Sequence, residues 1–81
     1  MQVTDTHAHI FSDDLQRYPV LASAGARPPG IGTVPHLQQQ MAAAGVHRVV
    51  AIHTSMTYGF DNRFLIDSAR ANAPWMAGVC T

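Results

Sequence analysis

Four consecutive apolar residues, Val49-Val50-Ala51-Ile52, lie within a Val- and Ile-rich segment from His47 to Thr54. A strand with one wet face alternates apolar and polar residues, whereas an unbroken run suits a strand covered on both faces, as in a parallel sheet. Parallel neighbours are joined by crossovers, usually helices, so the flanking segments should carry a helical period. They do. Upstream, Thr33 is a plausible N-cap, Pro35 suits the first helical turn, and Leu37, Met41 and Ala44 repeat at i, i+4 and i+7. The spacing predicts a helix over 35–44, with Gly45 at the left-handed C-terminal cap.

Downstream, 55–60 reads as a short loop, after which Asp61 caps a helix running to about Ala71. Phe64, Leu65, Ser68, Ala69 and Asn72 mark its spacing, and Pro74 stops it. A third strand is expected over 75–81, with Met76, Ala77, Val79 and Cys80. At the other end, Val3, Asp5, His7 and His9 alternate with Thr4, Thr6, Ala8 and Ile10, so a strand there places the first set on one face. The order is β-α-β-α-β, an α/β chain with parallel strands and right-handed crossovers, hence a barrel or a doubly wound open sheet.

From Phe11 to Val34 no period holds, and Pro19, Gly25, Pro28, Pro29, Gly30 and Gly32 interrupt any regular element. Unstructured connections beyond about 12–15 residues are uncommon in compact domains and are usually functional or mobile. We therefore expect this loop to lie over the C-terminal ends of the strands as a lid. Three parallel strands with two helices leave one sheet face and both edges uncovered. The expectation is that residues 1–81 form the N-terminal part, about three of eight strands, of one barrel domain; such a barrel needs about 250 residues.

Hydrophobic residues make up 47% of the chain and charged ones 12%, which excludes a disordered tail. Five Arg and five Asp balance, leaving no electrostatic footprint for nucleic acid or an anionic membrane. The nearly apolar run of 49–52 is far short of the roughly 20 residues that cross a bilayer. Cys80 is the single cysteine, which suits a reducing cytoplasm and reads as a buried structural thiol. No partner beyond a small-molecule substrate is called for, and a homo-oligomer is compatible with this composition.

His7 and His9, two apart on a strand, leave one face and can converge on a single ion. Their position at the C-terminal end of the first strand is where barrels carry catalytic groups. The residues alone leave two readings, metal ligation or a pair of hydrogen-bonded, partly buried histidines. Asp5 either accepts a ring N–H and so orients the ligating histidine, or caps the strand. His53, with Thr54 and Ser55, ends the second strand at the same rim and either touches substrate or packs the loop, as does Tyr58. Arg17 and Arg63 can pair with a substrate carboxylate or stand in solvent. His36 and His47 are placed toward the N-terminal end of the strands and read as structural.

Asp5-Thr6-His7-Ala8-His9 followed by Ile10-Phe11 resembles the N-terminal signature of the amidohydrolase superfamily, whose HxH pair ends the first strand of a (β/α)8, TIM-type barrel. Arg17-Tyr18-Pro19, Ala44-Gly45-Val46-His47-Arg48-Val49-Val50 and Tyr58-Gly59-Phe60-Asp61-Asn62 are similar to the branch containing 2-pyrone-4,6-dicarboxylate lactonase and related sugar lactonases. The resemblance implies a hydrolase acting on a lactone, ester, amide or related carboxylated small molecule through an activated water. It implies that His7 and His9 help bind a divalent metal, Zn first and otherwise Mn, Fe or Ni, although some lactonases of this branch are thought to work without one. The remaining ligands and the catalytic acid or base would come from later strands. The same HxH pair is shared with barrel phosphoesterases and nucleases, and a non-catalytic α/β module is the alternative if 81 residues are the whole protein.

Overall fold

A computed structural model describes residues 2–81, with strands β1 (Thr4–Ala8), β2 (Arg48–Ile52) and β3 (Met76–Val79) and helices α1 (Val34–Ala44), α2 (Ser55–Tyr58) and α3 (Arg63–Ala71). The strands form one sheet in the order β1-β2-β3, with both pairings parallel. The chain is thus an α/β unit in which each neighbouring pair of strands is joined through helix. β2 carries the ladder on both sides: Arg48 N–H donates to Val3, Val49 N–H to Trp75 and His53 N–H to Val79.

Val49 and Ala51, two apart on β2, face the helices and are almost fully buried. Ile10, Met41, Leu65 and Met76 close the same core. Gly78 belongs to this packing, because a Cβ there would stand 3.3 Å from Leu65 Cγ and 3.4 Å from Ala69 Cβ. A larger residue would push α3 off the sheet. The opposite face stays open, with Val50 and Ile52 half-buried and Ala77 and Val79 exposed.

Helix α1 follows its expected signals. The Thr33 hydroxyl accepts the His36 N–H, Pro35 lies in the first turn, and Gly45 takes the left-handed conformation at φ 72°. Two other expectations change. The 55–60 segment contains the single helical turn α2, because Thr54 O accepts from both Thr57 and Tyr58. A four-residue helix carries too little apolar period to be seen in sequence. Cys80, expected to be buried, is exposed beyond the end of β3.

The strict alternation expected along the first strand also breaks. Asp5 is in register with Val49 but Ala8 with Ala51, so β1 carries one extra residue across a β-bulge. Ala8 and Ile10 enter the core, which leaves His7 and His9 on the opposite side of the strand. Asp5, expected on their face, is instead aligned with Val49. The 11–33 segment has turns but no regular element, and it lies at the C-terminal end of the strands as expected. Its Leu21 N–H donates to Thr57 O, and its Phe11 N–H to Gly32 O. His36, at the start of α1, belongs to that same end rather than the N-terminal one, since a helix following a strand starts where the strand finishes; its Nδ1 accepts the Gly32 N–H. His47 lies at the N-terminal end, where its Nδ1 accepts the Val3 N–H.

No helix among the described residues is long and apolar enough to cross a membrane. The cap at Gly45 provides a check on the fold. In the full-length protein, Gly45→Ala should cost about 1 kcal/mol, because a Cβ is strained at positive φ. Gly25→Ala, where φ is not positive and no atom lies within 4 Å of the added Cβ, should leave stability unchanged or slightly raised. Urea unfolding midpoints of the two variants give the comparison.

Candidate functional site

Near the C-terminal ends of β1 and β2 the expected residues form two separate pairs, His7 with His9 and His53 with Tyr58. His9 stands beside the last residue of β2: its Nδ1 lies 3.0 Å from Ile52 O. A carbonyl only accepts, so Nδ1 carries a proton, and in the neutral ring the free lone pair is on Nε2. The His7 and His9 rings are perpendicular with centroids 5.0 Å apart, and both residues are exposed on the open side of the strand. Two imidazoles on one tetrahedral zinc, at Zn–N of about 2.0–2.1 Å, have ring centres separated by roughly the same distance. Asp5 does not reach either ring in the hydrogen-bonding pattern; its Oδ1 accepts the His7 backbone N–H at 3.0 Å. That contact holds the main chain through the bulge.

His53 and Tyr58 lie deeper. His53 is 6% exposed and its Nε2 is 2.7 Å from Gly59 O, so the ring donates there and ties the end of β2 to the residue after α2. Gly59 suits this turn because its φ of 62° and ψ of −127° lie where a side chain is strained. The Tyr58 ring stacks obliquely between His53 and Phe64, at 6.3 and 5.9 Å. Its hydroxyl accepts the Ser12 N–H at 2.9 Å. The long loop is therefore fastened to α2 twice, at Ser12 and at Leu21.

The arginines considered for a substrate carboxylate have carboxylates of their own. Arg63 pairs with Asp61 through Nε and Nη2, the closest contact being 2.7 Å. Hydrogen bonds from the Arg63 side chain and backbone lower the Asp61 pKa to about 2, and the same pairing raises that of Arg63. Arg17 faces Asp67 at 3.9 Å, largely in solvent. Asp67 also accepts the Tyr18 hydroxyl at 2.6 Å, which raises the phenol pKa above its ordinary value. The N-cap of α3 is Asn62 rather than the expected Asp61, which lies one residue earlier and accepts the Arg63 N–H; the Asn62 amide instead exchanges two hydrogen bonds of 3.0 Å with the Thr81 backbone.

Sequence reasoning also missed Arg27, which binds Asp13 and three backbone carbonyls inside the long loop. Nothing in a stretch without periodicity marks one arginine as structural. Among the described residues, no group of three or more His, Cys, Asp or Glu is placed to hold a metal ion. His7 and His9 are a two-donor set, fewer than the three protein ligands of a catalytic zinc.

No family model matches the chain, and no curated protein matches it either. Two solved structures resemble it in fold. One is a probable 2-pyrone-4,6-dicarboxylic acid hydrolase from Acinetobacter baumannii, solved with citric acid bound, at a TM-score of 0.77 and 21% identity. The other is an apo structure of an Agrobacterium tumefaciens protein, at a TM-score of 0.76 and 19% identity. They cover 100% and 96% of this chain, which spans 29% and 27% of theirs. At these identities the likeness is one of fold: the β-α-β-α-β path of this chain is that of a segment of each larger protein.

The Asp61–Arg63 pair carries a pH dependence of known sign. Because the folded-state pKa is lowered from 3.8 to about 2, its contribution is complete above pH 3.8 and is lost as pH falls through 2. In the full-length protein the stability difference between wild type and Asp61→Asn should be constant near neutrality and shrink on acidification below pH 3.8. Chemical denaturation at a series of pH values reads it directly.

Proposed function

We propose that the chain is the opening β-α-β-α-β segment of a (β/α)8 barrel hydrolase of the amidohydrolase type. Its substrate class is a lactone, ester, amide or related small molecule attacked by an activated water. The observation that carries this reading is the His7–His9 pair at the C-terminal end of β1, the end at which such barrels keep their chemistry. The fold likeness to a probable 2-pyrone-4,6-dicarboxylic acid hydrolase supports the choice of a hydrolase.

In this reading His7 and His9 hold a divalent metal, zinc by preference, as neutral imidazoles. The donor chemistry fits. Ile52 O fixes the His9 tautomer so that Nε2 is the ligating atom, the arrangement in which an outer partner orients a metal-bound histidine. Asp5 supports His7 through its main chain, and the bulge aims the pair away from the core. A bound metal would polarise the substrate carbonyl and lower the pKa of its water. The remaining ligands and the acid or base belong to strands beyond these residues. His53 and Tyr58 serve this site by fixing α2 and the loop against which a substrate would lie.

Replacing His7 and His9 together by Ala in the full-length protein should lower bound metal and hydrolysis of a lactone panel in parallel, by a hundredfold or more in turnover. Metal analysis and steady-state rates on the same preparations supply both quantities. Circular dichroism should be unchanged, because neither side chain enters the Val49–Ala51 core. Undiminished turnover in the double variant would sink the metal role, and lost turnover with no metal in the wild type would assign the imidazoles to substrate instead.

A further inference from the structure

Beneath the long loop, against α2, lies a cleft of about 450 Å³. This is within the range of small-molecule sites, roughly 300–1,000 Å³. Its wall is mainly apolar, from Phe11, Leu15, Val20 and Ala24, with Pro29 at the margin. Leu15 and Val20 remain exposed, so the cleft is open to solvent on the loop side, while Phe11 and Ala24 are half-buried in it. Three hydroxyl-bearing residues also line it, Ser12 from the loop and Thr57 and Tyr58 from α2.

The polar groups around the cleft differ in what they have left to give. Arg27 brings a positive charge, but the charge is spent. Its Nη2 lies 3.1 Å from Asp13 Oδ1 and 3.1 Å from Ser12 O, and its Nη1 donates to Pro28 O and Ile31 O. The guanidinium also stacks 5.2 Å over the Phe11 ring, so it is a fixed wall rather than a free cation. Asp13 is engaged as well, with its second oxygen accepting the Gly30 N–H at 2.9 Å. An anion entering here would face Asp13 with no unpaired cation to offset it.

Tyr58 is the opposite case. The residue is 5% exposed and its hydroxyl accepts from Ser12 N–H, yet a phenol has one proton to donate as well. Among the described residues no acceptor receives it. The Thr57 hydroxyl accepts from Thr54 at 3.3 Å and likewise keeps its own proton. We infer that this cleft binds a small uncharged molecule with an apolar body and one carbonyl-type acceptor, its oxygen received by the Tyr58 hydroxyl. The loop fastenings at Ser12 and Leu21 hold the two walls at that separation. The ligand class thus follows from paired charge and unspent donors, and it stands independently of whether His7 and His9 carry metal.

Acetophenone and benzoate are suitable probes, being alike in size, inert to hydrolysis and different in charge. Ligand-observed NMR titration of the full-length protein should show saturable acetophenone binding and benzoate binding at least tenfold weaker. Ala24→Trp, which fills the cleft from a half-buried loop position, should abolish acetophenone binding. Tyr58→Phe should weaken it about threefold to tenfold, the worth of one neutral hydrogen bond. Amide exchange at Leu21, whose bond to Thr57 O neither substitution removes, separates loss of the donor from loosening of the loop and should be unchanged in Tyr58→Phe. Absent acetophenone binding, equal or tighter binding of benzoate, or acetophenone binding that survives Ala24→Trp would each overturn the assignment.

Discussion

The arrangement at the C-terminal ends of the strands hangs from the backbone of β2. Its ladder bonds bind β1 on one side and β3 on the other, and Val49 and Ala51 seat the sheet on the helices. Once that strand is in place, its last carbonyl, Ile52 O, is the acceptor that selects the His9 tautomer. The next residue, His53, spends its imidazole on Gly59 and so folds α2 back over the strand end. One ladder thereby orients a candidate ligand and a candidate substrate wall.

The β-bulge in β1 has a different consequence. A regular strand would have put Asp5 in step with His7 and His9 and left one uninterrupted polar face. The extra residue moves Asp5 onto the side of Val49 and keeps Ala8 and Ile10 in the core, so that the histidines leave from the opposite side. Bulges recur beside active sites because they re-aim a side chain without interrupting the sheet. Asp5 then stabilises the irregular backbone, through the His7 N–H, rather than an imidazole.

Charge is spent locally throughout this end of the molecule. Arg27 faces Asp13, Arg63 faces Asp61 and Arg17 faces Asp67. The exposed pairs contribute little to stability, since water screens them and long side chains lose entropy. Their effect is on recognition: the Arg27 and Arg63 guanidinium groups are already hydrogen-bonded to carboxylates of the chain, whereas Arg17 stays largely in solvent. Hydroxyl protons are left as the donors for an incoming molecule, which favours a neutral carbonyl in the loop cleft.

Much of the fold was legible in the residues themselves. The Val49–Ile52 run, the Thr33, Pro35 and Gly45 signals and the Pro74 stop are local preferences that burial then reinforced, so strand, helix and parallel order followed from pattern. The pairing of His7 with His9 at a strand end was visible for the same reason. The bulge, the burial of His53, the exposure of Cys80 and the partners of Arg17 and Arg27 were decided by tertiary structure. Groups far apart in sequence meet there, as Arg27 meets Asp13 and Tyr18 meets Asp67, 14 and 49 positions apart, while the α2 turn and the Arg63–Asp61 pair are local but carry no period that marks them. A period read along one strand carries no information about its neighbour's register, and a charged side chain in an aperiodic loop does not declare its counterion. Local pattern determined the elements, and long-range hydrogen bonding determined which of their side chains remain free for chemistry.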